Sequence, residues 1–134
     1  MYDKWENLEE EINNCKKCKL CNERSNIVFG AGPKDTKIMF IGEGPGADED
    51  RTGKLFVGKS GQLMDKAFQA LDIKKENLYL TNVIKCKTQK NREPQEDEVK
   101  VCINYLRNQV ILIKPKVIVL FRKYSFKIYF RKRI

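Results

Sequence analysis

Five cysteines and no histidine define the chemistry open to this 134-residue chain. Cys15 and Cys18 form a CxxC pair, Cys21 follows three residues later, and Cys86 and Cys102 are separated by fifteen residues. Four thiolates suffice for a tetrahedral zinc site or an iron–sulfur cluster, and spacing alone does not choose between them. Cys86 and Cys102 also admit a plainer reading as small buried apolar residues, and Cys21 is an alternative partner for the pair. The absence of histidine removes imidazole acid–base catalysis, Ser-His and Cys-His nucleophiles, and any metal site that needs imidazole.

A second group surrounds the segment Gly42-Glu-Gly-Pro-Gly-Ala-Asp-Glu-Asp50. Three glycines in five residues let a backbone approach a ligand closely. Gly42, Gly44 and Ala47 also fit a relaxed GxGxxA pattern for dinucleotides. Three features oppose that reading. Pro45 has no amide hydrogen to offer a phosphate; Asp48, Glu49 and Asp50 would repel a pyrophosphate; and Asn82 stands where a ribose-binding acid belongs. Phe56, between Gly53 and Gly58, is either core or a platform on which a planar ligand stacks. Asn82 is either a turn residue or a donor and acceptor that can read the edge of a base.

Such residues act only if a scaffold brings them together. Lys37–Ile41 reads as a buried strand running into Gly42, Leu78–Ile84 as a second strand, and Lys116–Leu120 as a third. Asn82 thereby falls near the C-terminal end of its strand, where parallel α/β sheets bind ligands. Residues 3–14 read as an amphipathic helix with Trp5, Leu8 and Ile12 on one face. Ser60–Leu71 reads as another, with Ser60 as N-cap and Leu63, Met64, Ala67, Phe68 and Leu71 on its apolar stripe. A third begins at Pro94, carries Glu96, Asp97 and Glu98 in its first turn, and runs to about residue 113. Its apolar face is Val99, Cys102, Ile103, Leu106, Val110 and Ile113. Strands alternating with helices imply crossover connections and a parallel sheet with helices packed on it. The length fits one domain over residues 1–134, with no repeats and no low-complexity linker.

Charge says less than its total suggests. Lys and Arg exceed Asp and Glu by 27 − 18 = +9, and the pI is near 9.3, which points toward an anionic partner such as nucleic acid or acidic lipid. Residues 121–134 hold six basic residues, five aromatics and no acid, with neither a helical stripe nor a strand alternation. Positions 1–120 retain only 21 − 18 = +3. Met1–Glu11 carries five acids and no apolar run, so a secretory signal is not expected. The longest apolar stretch, Val110–Leu120, is broken by Lys114, Pro115 and Lys116, so no membrane span is expected either. The expected compartment is the cytoplasm, where metal ligation is the usual use of clustered cysteines.

Together these pieces resemble the family 4 uracil-DNA glycosylases, the iron–sulfur bacterial and archaeal type. The resemblance runs from about Cys15 to Leu120. It includes the CxxC loop, Val28-Phe-Gly30, Gly42-Glu-Gly-Pro-Gly46 with Glu49-Asp50, Phe56-Val-Gly58, Thr81-Asn-Val-Ile-Lys-Cys86, Asn91-Arg92 and Lys114-Pro-Lys-Val-Ile118. It implies a three-layer α/β/α fold with a parallel central sheet. It also implies a [4Fe–4S] cluster held by Cys15, Cys18, Cys86 and Cys102, with Cys21 as an extra. Gly42, Glu43 and Gly44 would line the uracil pocket, Phe56 would stack on the flipped base, and Asn82 would hydrogen-bond its edge. The implied reaction is base excision on uracil-containing DNA: hydrolysis of the N-glycosidic bond, releasing uracil and leaving an abasic site. Glu43 and Asn82 would be the catalytic pair, Glu43 by positioning or activating water. A folded chain is expected to be a monomer. The alternative is a non-catalytic iron–sulfur module that binds nucleic acid.

The chain departs from the family pattern after Leu120. Members continue for roughly another third of their length, adding a strand and a His-Pro loop whose histidine contacts uracil. Here the turn expected after Leu120 is replaced by the basic-aromatic tail. The expectation is a C-terminally truncated or frame-shifted chain lacking the last strand and helix, with an open sheet edge and impaired or absent activity.

Overall fold

The structure, a computed structural model describing residues 4–121, is organised on the strand β1 (Ile38–Gly42). β1 lies between β2 (Tyr79–Asn82) and β3 (Val117–Leu120), in the order β2-β1-β3 and parallel to both. The register pairs Met39 with Tyr79 and Gly42 with Asn82 on one side, and Ile38 with Val117 on the other. Pairing continues past the strand ends. The Val83 N–H donates to the Gly42 carbonyl at 2.9 Å, the Ile84 N–H to the Glu43 carbonyl at 3.0 Å, and the Phe121 N–H to the Ile41 carbonyl at 2.7 Å.

Strand alternation sorts side chains to two faces. Met39, Ile41 and Tyr79 enter a core shared with α1 (Trp5–Asn13) and α4 (Glu96–Ile113). Phe40 and Leu80 face a smaller core with Met64 and Phe68 of α3 (Lys59–Ala70), where the Phe40 and Phe68 rings meet edge to face at 5.1 Å. Helices therefore cover both faces, as a three-layer α/β/α arrangement requires. The chain moves one way from β1 through α3 to β2, then back across β1 through α4 to β3. That reversal places α3 and α4 on opposite faces and opens a crevice at the carboxyl ends of the strands.

Several local expectations are revised. The α3 N-cap is Gly58, not Ser60, because the Gly58 N–H is already held by the Glu49 carboxylate at 2.7 Å. Its apolar stripe is narrower than the spacing implied: Met64 and Phe68 are buried, whereas Leu63 and Leu71 are 68% and 69% exposed. The segment after Gly46 is not wholly loop, since Ala47–Thr52 forms the short helix α2. Its signal was legible, because Asp48, Glu49 and Asp50 favour the helix dipole as do the acids that open α4, and Gly53 closes it at φ 73°. β2 ends at Asn82, shorter than the apolar run. Among the described residues β3 pairs only with β1, and Val117 is 50% exposed, so that edge is open as expected. The tail at 122–134 lies outside the described residues. No helix among the described residues is long and apolar enough to cross a membrane.

The start of α4 is fixed by charge. Glu98 is fully buried, its Oε1 accepts the Gln95 N–H at 2.8 Å, and its two oxygens take both Arg92 Nη groups at 2.8 and 2.9 Å. Lys19 Nζ adds a longer contact of 3.7 Å. The Arg92 hydrogen bonds, with the Gln95 amide and Lys19, hold the Glu98 carboxyl below the usual range despite its burial. A depressed folded-state pKa contributes stability at neutral pH that is lost as pH falls below the ordinary glutamate value of about 4.3. E98Q is therefore expected to lower the melting temperature at pH 7 and to flatten its decline between about pH 6 and pH 3, as thermal scans across that range would read. Leu8, fully buried where α1 meets α4, provides a test of the larger core. L8A is expected to cost about 2–5 kcal/mol in urea unfolding.

Candidate functional site

The crevice at the strand ends is an open cavity of about 360 Å³. Its walls include Gly42, Glu43 and Gly44 after β1, Asn82 at the end of β2, Phe121 after β3, and Phe56. All five residues expected to touch a base are thus gathered in one place. Their contacts are tight. A Cβ on Gly42 would lie 2.4 Å from Asn82 Oδ1 and 3.2 Å from two Phe56 ring carbons, so only glycine leaves this wall open. Asn82 is 2% exposed, and its Oδ1 has no hydrogen-bond partner among the described residues. Burial of an amide oxygen without a partner is unfavourable, which marks Asn82 among the residues lining the cavity.

Phe56 is held by its backbone. It adopts φ 51°, a left-handed conformation unfavourable for a side-chain-bearing residue. Glu49 fastens the segment: Oε1 accepts the Gly46 N–H at 3.0 Å, and Oε2 accepts those of Val57 and Gly58 at 3.0 and 2.7 Å. Gly61 in α3 packs directly beneath, where a Cβ would come within 1.8 Å of the Phe56 carbonyl oxygen. The Phe56 ring meets Phe121 edge to face at 6.4 Å. Asp50 is likewise occupied, accepting the Ser25 and Asn26 N–H groups at 2.9 and 3.3 Å. The loop acids first weighed for their repulsion of phosphate therefore include two that bind backbone.

A second, smaller cavity adjoins the first, sharing Ile84 and Cys86 with it. Cys15 and Cys18 from the loop after α1, Cys86 beyond β2, and Cys102 on α4 all line it. Cys21, whose Sγ lies 3.7 Å from Asn22 Oδ1, is not among its walls. The remaining lining combines apolar residues, among them Ile12, Leu20 and Ile84, with the charged Lys17, Arg24, Lys85 and Glu98. Burial pushes the Cys102 thiol up to about 12 and raises Cys86 and Cys18, and the cysteines also raise one another. Arg24 opposes this at Cys86, where Nη1 donates to Sγ at 3.3 Å. Among the described residues no three Cys, Asp or Glu groups converge closely enough for a single ion.

Between the two cavities sits Lys85, only 2% exposed, a residue that sequence reasoning quoted within a motif but gave no role. Its Nζ donates to Thr81 Oγ1 at 2.7 Å, to the Asn82 carbonyl at 2.6 Å and to Gln109 Oε1 at 2.6 Å. Burial lowers its pKa to about 8, against the pull of Cys102 and Cys86. Arg92 lines the larger cavity while its partner Glu98 lines the smaller one, a second polar link between them. Nothing in local patterning marks Lys85 or Gln109, since a lysine after a strand and a glutamine on a helix normally face water.

The type-4 uracil-DNA glycosylase of Sulfurisphaera tokodaii is 42% identical over 131 residues, 97% of this chain and 60% of that protein. Its counterpart from Saccharolobus solfataricus is 40% identical over 93% of the chain and 58% of its own length. That of Thermotoga maritima is 41% identical over 89% and 64%. The chain thus spans about 60% of the length of the curated relatives it matches. The family model for the uracil DNA glycosylase superfamily matches residues 29–134, a span that takes in every wall of the open cavity. On that match the chain belongs to the uracil DNA glycosylase superfamily.

Proposed function

We propose that the open cavity is a uracil pocket and that the chain acts in base excision on uracil-containing DNA. The observation that carries this reading is that Asn82, whose buried Oδ1 has no hydrogen-bond partner among the described residues, lines one cavity together with the Gly42–Gly44 loop and Phe56. Uracil is planar and presents an N–H between two carbonyls, so a stacking ring and an amide on its edge suit it. The target nucleotide must leave the DNA stack to reach such a pocket. Phe56 then receives one face of the base, and Gly42 admits its edge against Asn82. Cleavage of the N-glycosidic bond leaves negative charge on uracil, which the Asn82 amide and backbone N–H groups of the Gly42–Gly44 loop are suited to stabilise. Glu43, on the same wall, positions or activates the water that adds to the sugar.

Cys15, Cys18, Cys86 and Cys102 fit a [4Fe–4S] cluster. The donor set is all sulfur, the four residues share one cavity, and Arg24 already points an N–H at one of them. When bound, the cluster supplies a covalent tie between the loop after α1, the end of β2 and α4, and so holds the walls of the neighbouring pocket. We assign the protein to the cytoplasm, where thiols stay reduced, and to a monomeric state.

Two measurements test these assignments. Uracil release from a single-stranded uracil-containing oligonucleotide is expected, with the Thermotoga maritima relative assayed in parallel. N82A is expected to lower the rate of the chain by about a hundredfold or more. Oligonucleotide binding without uracil release would instead favour the non-catalytic module. The purified chain is also expected to show a broad absorbance band at about 400 nm. C15S and C102S should abolish it and C21S should leave it intact; loss of the band in C21S would overturn the ligand set.

A further inference from the structure

We propose that Lys85 is a positioning residue, its buried ammonium locking the Asn82–Lys85 turn so that Asn82 faces the base cavity; this rests on the uracil reading of that cavity. The geometry is complete in itself. A lysine ammonium has three donors, and here each has one acceptor at 2.6–2.7 Å: Thr81 Oγ1, the Asn82 carbonyl and Gln109 Oε1. The acceptors are anchored in turn. Gln109 is fully buried, and its Nε2 donates to the Phe29 carbonyl and to Tyr79 Oη, both at 3.1 Å. Thr81 Oγ1 donates to the same Phe29 carbonyl at 3.0 Å.

The backbone of the turn is held elsewhere. Val83 and Ile84 donate to the glycine loop, and the Lys85 carbonyl accepts the Val28 N–H at 2.8 Å. The Asn82 carbonyl is what Lys85 itself secures, and the orientation of that peptide group directs the adjoining side chain. No hydrogen bond on Oδ1 holds the Asn82 amide in place. Its aim therefore depends on packing against Gly42 and on the backbone beneath it, of which Lys85 secures the Asn82 carbonyl. A neutral side chain at position 85 would leave three acceptors to find other donors, and the turn would relax toward them.

The test uses the full chain labelled with 15N, following the Asn82 side-chain amide signal while free uracil is added. In the unsubstituted chain uracil is expected to shift that signal. In K85M the signal should be displaced or broadened before any ligand is present, and the affinity for uracil should fall by about tenfold or more. Q109L, which removes one anchor and keeps the lysine, should act in the same direction by a smaller amount. An unchanged Asn82 signal with unchanged uracil affinity in K85M overturns the proposal. If K85M does not fold, Q109L and T81V decide, and an undisturbed Asn82 signal in both overturns it. A signal that ignores uracil in the unsubstituted chain, yet moves in K85M, removes the uracil reading and leaves the positioning role standing.

Discussion

The parallel pairing of β1 with β2 is the constraint from which the rest of the site follows. It sets Gly42 beside Asn82, and the pairing extends through Glu43 and Ile84 before the two chains part. At that point the absence of a Cβ on Gly42 leaves room for the Asn82 amide and the Phe56 ring to face one volume. A shift of one residue in this register would turn Asn82 to the opposite face of the sheet. The burial of Met39, Ile41, Phe40 and Leu80 on both faces makes such a shift unfavourable, so the hydrophobic core specifies the site through the register.

The two cavities are neighbours because one short turn serves both. Asn82 and Cys86 lie four residues apart, and between them the chain passes from the sheet to the interior beneath α4. Turns usually lie at the surface, where water satisfies backbone groups. This one is buried, and its polar groups are met by Lys85, Thr81 and Gln109 instead. A buried network satisfied in this way is rigid, because each member loses a partner if any other moves. The Glu98–Arg92 pair repeats the device at the start of α4, on the route from the cysteine loop to the cavity rim.

Net charge contributes little to this picture. Six of the nine excess positive charges belong to the segment after Leu120, and the residues that build the cavities carry nearly balanced charge. The case for a nucleic-acid substrate therefore rests on the pocket and on the family rather than on the pI. Within the loop, acids that looked like free negative charge are engaged by the backbone. Glu49 binds three amides and Asp50 binds two, so their function is to shape the segments around Phe56 and Asn26.

Residue types and spacing by themselves determined the order of strands and helices, the placing of Asn82 near a strand end, and the grouping of Gly42–Gly44, Phe56 and the cysteines as candidates. These features are local: apolar periodicity, a CxxC pair and a glycine run each reflect the conformations of neighbouring residues. The start of α3 at Gly58 departs from the local signal because Glu49, nine residues away, holds the Gly58 N–H. Tertiary structure alone decided that four cysteines share one cavity, that Cys21 lies outside it, and that Lys85 is buried between that cavity and Asn82. The physical reason is that an ammonium or a thiol is placed by its partners. For Lys85 those partners include Gln109, twenty-four residues away in the chain and 2.6 Å away in space.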